Sequence, residues 1–283
     1  MLASGEAMKI SVGMIAYNAM PVVEMALRSI YPHVDEIIII DGSRMGPSTD
    51  GTAKFSASSF ITRSGPRHAD VRVFSGTFAK PDGSWDEQGQ RQAYLNEMER
   101  GIDRWGILQD ADEVFDHENA LKLIEAIHEA NKNPDIKVIS HGFVHFWHSL
   151  NQVMTGGHWS RPRDVCAFRL TPELRTTNIV HVGEREGERF GQDGKAAMIR
   201  PDIFSYHYGH AMSFERLCFK VQEYFLAKYV RDNHGLAEIT SAKLEEFMKE
   251  YREVIYHKTG PNIKLYSGKQ PEAIRPLIGE YFK

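Results

Sequence analysis

The feature that most constrains the fold is a pair of apolar runs that each stop at polar residues. The first run, KISVGMIA at 9–16, is followed by Tyr17 and Asn18, and the second, EIIII at 36–40, is followed by Asp41. Consecutive β-branched residues without polar alternation are typical of strands that are buried on both faces of a parallel sheet. The two runs therefore predict parallel strands with Tyr17, Asn18 and Asp41 at their carboxyl ends.

A helix is predicted between the two runs. It begins at Pro21, carries Val22, Ala26 and Ile30 at four-residue spacing on one apolar stripe, and ends near Pro32. The alternation then continues with a strand at 71–74, a helix at 87–100 and a strand at 106–109. This order predicts an α/β fold whose strands and helices alternate as they do in a doubly wound sheet.

Three acids follow the last of these strands, in the segment WGILQDADEVF at 105–115. Asp110 and Asp112 are two residues apart, so in an extended chain both carboxylates point the same way, and a cation or a proton must relieve their repulsion. Asp112 as the cap of the next helix is an alternative, but Asp116 is the better N-cap for a helix at 117–131. The pattern favours a site for Mg²⁺ or Mn²⁺, because carboxylate oxygens suit these hard cations.

The predicted position of these acids points to a phosphate-bearing ligand. In open α/β sheets, ligands bind beyond the carboxyl ends of the strands, although Asp41 taken alone is explained equally well as a turn residue before Gly42. A cation held by few protein ligands keeps positions free for a diphosphate, which indicates a nucleotide-diphosphate substrate. The chain has no GxxxxGK[ST] and no GxGxxG after the first strand, so neither a P-loop nor a dinucleotide fold is predicted.

Four segments together resemble the family 2 glycosyltransferases of the GT-A fold. They are ISVGMIAYNA, IIIIDGSRMGPSTDGTAKF, WDEQGQRQAYLNEM and WGILQDADEVF, and they follow the family's order over about the first 120 residues. The resemblance implies a GT-A-like, mixed and mostly parallel sheet flanked by helices. It also implies a metal-dependent transfer of a sugar from a nucleotide-diphosphate sugar, in the first place a UDP-sugar, to an acceptor hydroxyl. It also implies that Tyr17 and Asn18 line the nucleotide pocket, that Asp41 contacts the base or ribose, and that Asp110 and Asp112 bracket Mn²⁺ or Mg²⁺.

Two further residues take roles from this resemblance. Arg91 lies on the same predicted helix face as Leu95, and one explanation is that the Arg91 side chain extends along this face to reach solvent. The resemblance implies instead that Arg91 contacts the diphosphate or nucleotide. His207, in SYHYGH at 205–210, is implied to complete the metal shell of the two aspartates. In an extended strand His210 points to the opposite face from His207, so we expect His210 to be structural.

An inverting transfer also needs a general base near the acceptor hydroxyl. The resemblance implies an acid between the D-x-D and the late histidine, and the candidates there are Asp164, Glu184, Glu186 and Asp193. We select Glu184 as the base, with Asp112 as the other catalytic residue. If no acid lies close to the acceptor, a retaining mechanism is the alternative.

The strand predicted at 138–147 ends in a cluster of imidazole and aromatic side chains. They include His145, Trp147 and His148, with His158 soon after. Such side chains are good partners for sugar rings or bases, but they also suit an ordinary half-buried strand, and both explanations stay open. A zinc site is the least favoured explanation, because no HxxxH helix or cysteine partner is present.

Composition limits the class of protein. The chain has 283 residues, of which 42% are hydrophobic, and a net charge of −4 without a dense Lys/Arg run, so we expect a globular protein that does not wrap nucleic acid. Its two cysteines, Cys166 and Cys218, are far apart, which argues against a disulfide framework and fits a reducing cytoplasm. Without a signal peptide or a run of ~20 apolar residues, we expect a soluble protein.

Two parts of the chain are expected. Residues 1–212 form the catalytic domain, with a nucleotide-sugar half at 8–116 and an acceptor half at 117–212. Residues 213–283 form a helical extension, with one helix from Ser213 and a second from about Ser241 to His257.

Other functions stay open at this stage. A nucleotidyltransferase acting on sugar phosphates is one alternative, although its usual Gly-rich, basic first loop is not matched by the YNA at 17–19. A sugar- or nucleotide-binding module without catalysis is another. The acceptor of a transferase could be a glycan, a small molecule or a modified nucleic-acid base, and the lack of a membrane anchor disfavours a lipid carrier. The sequence does not indicate an oligomeric state.

Overall fold

The computed structural model of the chain describes residues 7–54, 69–147, 149–156, 165–178, 181–185, 188–190, 196–211 and 262–278. Its helices are α1 (Val22–Ile30), α2 (Glu87–Glu97) and α3 (His117–Asn131), with 3₁₀-helices at Tyr31–His33 and Glu272–Leu277. Its strands are β1 (Lys9–Ala16), β2 (Glu36–Ser43), β3 (Asp70–Thr77), β4 (Arg104–Leu108), β5 (Glu113–Val114), β6 (Val138–Trp147), β7 (Ser149–Thr155), β8 (Ala167–Arg169), β9 (Arg175–Asn178), β10 (His181–Gly183), β11 (Ala197–His207) and β12 (Asn262–Leu265). No helix in these ranges has the length and apolar character needed to cross a membrane.

The first four strands form a parallel sheet in the order β3-β2-β1-β4. β2 is buried along its whole length, as its run of isoleucines predicts. The register pairs Ala16 with Asp41 and Gly13 with Leu108. The carboxyl ends of β1, β2 and β4 therefore meet at one edge of the sheet.

The remaining strands make the sheet mixed. β8 runs antiparallel between β4 and β6, β7 runs antiparallel beside β6, and β12 pairs antiparallel with β7. β11 pairs in parallel with β6 and antiparallel with the short strand β5. The described strands thus form one ten-stranded sheet and a separate pair, β9 and β10, which confirms the predicted α/β class.

Helices cover both faces of the parallel strands. Ile37 and Ile39 belong to the core beneath α1 and α3, whereas Ile38 and Ile40 belong to the core beneath α2, which includes Tyr94. Because side chains alternate along a strand, this division means that β2 is enclosed from both sides.

Most element bounds agree with the sequence predictions to within a few residues. The helix expected at 87–100 ends at Glu97, because Met98 is extended, and the strand expected at 71–74 spans Asp70–Thr77. Asp116 caps α3 as predicted, since its carboxylate accepts a 2.7 Å hydrogen bond from the amide of Asn119.

The C-terminal part differs from the expected helical extension where the structure describes it. Asn262–Leu265 forms β12, an edge strand of the main sheet, and Ile274 and Leu277 of the 3₁₀-helix pack against Val22 and Met25 of α1. A strand forms here because the outer edge of β7 offers unpaired backbone groups. The helices predicted from Ser213 and Ser241 lie outside the described residues.

One close approach positions α2 on the sheet. Gly13 of β1 lies under the ring of Tyr94, and a Cβ atom added at Gly13 would lie 2.3 Å from Cδ2 of Tyr94. Gly13 therefore sets how near α2 comes to β1. Since Arg91 lies one turn before Tyr94 on α2, the same contact sets the position of Arg91 above the sheet.

We expect Gly13→Ala to lower the free energy of unfolding by about 1–3 kcal/mol, because the added methyl group overpacks a buried contact. Urea unfolding followed by circular dichroism measures the loss. The matched control is the same substitution in a Tyr94→Leu background, where the methyl group has no ring to meet and its cost should be smaller. Equal costs in the two backgrounds would contradict this account of Gly13.

Candidate functional site

The carboxyl edge of the parallel strands gathers most of the predicted site residues. Tyr17 and Asn18 directly follow β1, Asp41 lies near the end of β2, and Asp110 follows β4 by two residues. The parallel register of β1 with its two neighbours requires these positions to share one edge. This edge, together with His207 at the end of β11, is the candidate site.

Asp110 is held by a buried arginine. The two terminal nitrogens of Arg91 donate to its two carboxylate oxygens at 2.7 Å and 3.0 Å, and Glu87, one turn earlier on α2, accepts from Arg91 at 2.9 Å. The Arg91 side chain is 2% exposed, against 23% for Asp110. The guanidinium thus lies beneath Asp110, away from solvent.

Charge stabilises this buried cation. Burial by itself lowers the pKa of Arg91, but the opposing charges of Asp110 and Glu87 and the hydrogen bonds to Asp110 outweigh it, and the pKa is raised well above its ordinary value. Arg91 is therefore a permanent positive charge that orients Asp110. The direct contact between Arg91 and a nucleotide that the sequence resemblance implies stays a prediction, since in this structure the guanidinium faces the two acids.

A tight turn carries the chain from Asp110 to β5. The amide of Glu113 donates to the carbonyl of Asp110 at 3.0 Å, and the Glu113 carboxylate accepts from the amide of Asp110 at 3.2 Å. Glu113 is almost fully buried. It therefore shapes the turn that presents Asp112.

Backbone pairing brings Asp112 to His207. The β5–β11 ladder sets Glu113 opposite His207, and the amide of Tyr208 donates to the carbonyl of Asp112 at 2.8 Å. As a result, Nε2 of His207 lies 3.7 Å from Oδ1 of Asp112, with 16% and 26% of the two side chains exposed. The sequence resemblance links these two residues, and the fold puts them side by side.

Asp112 and His207 fit two ligands of a hard divalent cation. Neighbouring ligands that each lie about 2.1 Å from Mg²⁺ or Mn²⁺ are about 3 Å apart, so a small side-chain rotation would suffice. Gly209 leaves room in front of both, because a Cβ there would lie 2.5 Å from Oδ2 of Asp112 and 2.7 Å from Nε2 of His207. Within the described ranges, no three His, Cys, Asp or Glu side chains converge as a complete metal site.

His210 does not lie on the face that the sequence predicts. β11 ends at His207 and the chain turns, with the amide of Ala211 donating to the carbonyl of Tyr208. The ring of His210 thereby returns to 5.5 Å from the ring of His207 and 5.7 Å from that of Trp147. The expectation of opposite faces is wrong, because it assumed a strand that continues to residue 210.

A row of stacked rings on β6 reaches the site. His141, Phe143 and His145 alternate along the strand, with neighbouring ring centroids 5.3 Å apart and interplanar angles of 27° and 16°. His145 then contacts His207, with Nδ1 of the two rings 3.2 Å apart. The period-two spacing was the available sequence signal, but it does not reveal the partner across the sheet. His148 and His158 lie outside the described residues.

Asn18 and Asp41 hold a loop over the edge of the sheet. Asn18 has a φ of 46°. Its side-chain oxygen accepts a 2.9 Å hydrogen bond from the backbone amide of Thr49, and its backbone amide donates to the hydroxyl of Ser48 at 2.8 Å. Asp41 is fully buried and accepts from the amide of Ser48 and the hydroxyl of Ser75, both at 3.1 Å. Its contact with a base or ribose stays a prediction.

Glu184 is carried by a different sheet from the other site residues. It follows β10 of the two-stranded sheet, and its amide donates to the Glu188 carboxylate at 2.8 Å. Its role as a base stays a prediction, and the other candidate acids, Asp164, Glu186 and Asp193, lie outside the described residues.

Sequence reasoning missed two residues of α2 that support the site. Glu87 completes the pairing of Arg91, and the four-residue spacing of an acid and an arginine was an available signal. Gln90 donates to the carbonyls of Ile40 and Gly42 and accepts from the indole of Trp85 at 2.9 Å. This buried amide ties the end of β2 to the loop before α2, a link that sequence spacing does not show.

Comparisons with known proteins give only distant likenesses. No protein-family model matches the chain, and no curated protein matches it. Among solved structures, S. aureus TarS 1–349 in complex with UDP-GlcNAc aligns with a TM-score of 0.46 at 16% identity, over 89% of this chain and 74% of that chain. The mannosyltransferase PcManGT from Pyrobaculum calidifontis in complex with GDP-Man and Mn²⁺ aligns with a TM-score of 0.42 at 14% identity, over 89% and 70%.

A mannose-6-phosphate isomerase from Helicobacter pylori also aligns, with a TM-score of 0.33 at 8% identity, over 58% of this chain and 61% of that chain. All these identities and TM-scores are low. What the chain does must therefore be inferred from its own residues.

We expect Arg91→Met to lower the free energy of unfolding by about 3 kcal/mol, since it leaves Asp110 and Glu87 without their buried cation. The partial exposure of Asp110 keeps the loss at the low end of the range for buried ion pairs. Arg28→Met is the matched control, because Arg28 also pairs with a glutamate four residues earlier but on the surface, and its loss should stay below about 0.5 kcal/mol. Similar losses in urea unfolding would contradict a special role for Arg91.

Proposed function

We propose that the protein is a glycosyltransferase that moves a sugar from a nucleotide-diphosphate sugar, with Mn²⁺ or Mg²⁺ as its metal, to an acceptor hydroxyl. The observation that carries the proposal is the meeting of Asp112 and His207 at the carboxyl edge of the sheet, beside Asp110. Edges of this kind are where open α/β sheets bind their ligands. The four sequence segments that resemble family 2 glycosyltransferases contribute Asn18, Asp41, Arg91 and Asp110 to this edge.

Asp112 and His207 would hold the metal, through a carboxylate oxygen and Nε2. When bound, a divalent cation supplies positive charge to the diphosphate, which leaves with more negative charge than it carries in the donor. The acids at this edge would otherwise repel a diphosphate, because Asp110, Asp112 and Glu113 are close together in the chain and Arg91 pairs with Asp110 and Glu87. A cation would thus offset the negative charge of both the acids and the diphosphate.

Asp110 would act beside the metal ligands. Arg91 occupies one direction of each Asp110 oxygen, but a carboxylate oxygen has two lone pairs, so the exposed side of Asp110 can still face a cation or a ribose hydroxyl. Arg91 keeps that side turned outward. Asp110 and Arg91 therefore work as one unit, in which Arg91 positions and Asp110 contacts the ligand.

Asp41 supports a nucleotide whose base carries a ring N–H. Oδ1 of Asp41 is buried and has no hydrogen-bond partner among the described residues, which is costly for a carboxylate. The N–H at position 3 of uracil would satisfy it, whereas cytosine has no hydrogen there. Guanine also carries a ring N–H, at position 1, so Asp41 favours a uridine or guanosine donor over a cytidine donor, and the sequence resemblance then selects a UDP-sugar. Tyr17 and Asn18 would line the pocket after a small shift of the loop that contains Ser48.

Glu184 as the base of an inverting transfer belongs to the same proposal, but it draws on the sequence resemblance alone. The acceptor would approach from the second half of the sheet, and a glycan, a small molecule or a modified nucleic-acid base each offers a suitable hydroxyl. Hydrolysis or transfer assays with a UDP-sugar, followed by analysis of the product's anomeric configuration, would distinguish inversion from retention.

The proposal is tested by thermal unfolding with nucleoside diphosphates and nucleotide sugars, each with Mn²⁺ and with chelator. A ligand at 100 times its Kd adds ~2.7 kcal/mol of stability, which raises Tm by several degrees. We expect the largest metal-dependent rise with a UDP-sugar and little with CDP. We also expect Asp112→Asn and His207→Ala to abolish turnover and to weaken Mn²⁺ binding strongly, so that the metal-dependent rise is lost at the Mn²⁺ concentration that saturates the wild type.

Two surface variants serve as matched controls. Asp135→Asn removes an exposed carboxylate beyond α3, and His128→Ala removes an exposed imidazole on α3, so both should behave as the wild type. A fully active Asp112→Asn variant would refute the proposal. Release of pyrophosphate from a nucleoside triphosphate would point to a nucleotidyltransferase, and binding without turnover to a non-catalytic module.

A further inference from the structure

We propose that His145 is a positioning residue that fixes the tautomer and orientation of His207. The inference rests on the proposed function, because it concerns how His207 is prepared to bind a divalent cation. It draws on the contact of the two rings across β6 and β11, a contact that the sequence pattern does not predict.

The sheet fixes the pair of histidines. His145 and His207 are directly opposed in the parallel β6–β11 register, so both side chains leave the same face of the sheet. Their Nδ1 atoms are 3.2 Å apart and their rings meet edge to face, at 70° with centroids 5.0 Å apart. The opposite nitrogen of His207, Nε2, is the atom that lies near Asp112.

Only one arrangement of protons lets His207 bind a metal through Nε2. A metal needs the lone pair of Nε2, so the proton of a neutral His207 must be on Nδ1. That Nδ1–H then donates to Nδ1 of His145, which must itself carry its proton on Nε2. Metal-binding histidines usually donate their second N–H to a carboxylate, a carbonyl or water, and here an imidazole takes that place.

His145 is well suited to the role because its own ring is restrained. Phe143 stacks on it with an interplanar angle of 16°, and His141 stacks on Phe143 in turn. Across the sheet, Met154 of β7 pairs with His145 on its other side. The row of rings on β6 therefore has a purpose in this structure: it holds an acceptor nitrogen at a fixed place behind His207.

Two substitutions separate the hydrogen bond from simple packing. His145→Asn keeps an acceptor oxygen close to the position of Nδ1, whereas His145→Leu keeps volume but removes the acceptor. With UDP present, Mn²⁺ is titrated and followed by its electron paramagnetic resonance signal. We expect His145→Leu to weaken Mn²⁺ binding by about 10–100-fold and His145→Asn to weaken it much less.

Controls show whether the effect passes through His207. In a His207→Ala background, His145→Leu should cause no further loss, because the residue that it orients is absent. His128→Leu, at an exposed position on α3, should bind Mn²⁺ as the wild type does. The inference is overturned if His145→Leu binds Mn²⁺ normally, if His145→Asn is as weak as His145→Leu, or if the loss persists in the His207→Ala background.

The tautomer is measured separately in the metal-free protein. In the metal-free protein the Asp112 carboxylate favours a proton on Nε2 of His207 and the His145 acceptor favours one on Nδ1. Long-range ¹H–¹⁵N spectra should therefore show a larger Nε2–H share of His207 in His145→Leu than in the wild type or in His145→Asn. An unchanged tautomer in His145→Leu would overturn the inference. Absence of Mn²⁺ and UDP binding by the wild type would instead refute the proposed function, so the two failures are read from different experiments.

Discussion

The candidate site depends on the pairing of a two-residue strand. β5 joins the end of β11, and this short ladder sets Glu113 opposite His207 and ties the carbonyl of Asp112 to the amide of Tyr208. The parallel half of the sheet supplies Asp110 and Asp112, and the mixed half supplies His207. Because backbone hydrogen bonds make the connection, the distance between the two halves of the site is fixed by the sheet itself rather than by the rotamers of long side chains.

A second constraint is electrostatic. Arg91 is buried beneath Asp110 and Glu87, so one positive charge is built permanently into a region that is rich in carboxylates. Gly13 makes this possible, since it lets Tyr94 bring α2 down onto β1. Arg91 neutralises the inner side of Asp110 only. The carboxylate of Asp112 is 26% exposed and lies against His207 rather than Arg91, so this is the side on which a cation would gain most.

The local features of the fold could be predicted from the sequence, and the distant pairings could not. The isoleucines before Asp41 predict a strand buried on both faces, and Asp116 predicts the start of α3, because each signal lies within a few neighbouring residues. By contrast, β12 forms only because β7 offers a free edge. The same limit applies to the site: the pairings of Arg91 with Asp110 and of His145 with His207 join different elements, and no spacing along the chain specifies them.

The number of protein ligands has a consequence for how such a site would work. If the protein binds a metal as proposed, Asp112 and His207 would offer two ligand atoms, whereas Mg²⁺ and Mn²⁺ prefer six in an octahedral arrangement. Water, the exposed side of Asp110 and diphosphate oxygens would then fill the remaining positions. Each diphosphate oxygen that replaces a water strengthens the binding of the metal, and by thermodynamic linkage the metal strengthens the binding of the nucleotide by the same factor. A site with few protein ligands is therefore one in which metal and donor bind together, and the orientation of His207 becomes important because the protein has so few contacts with which to fix the ion.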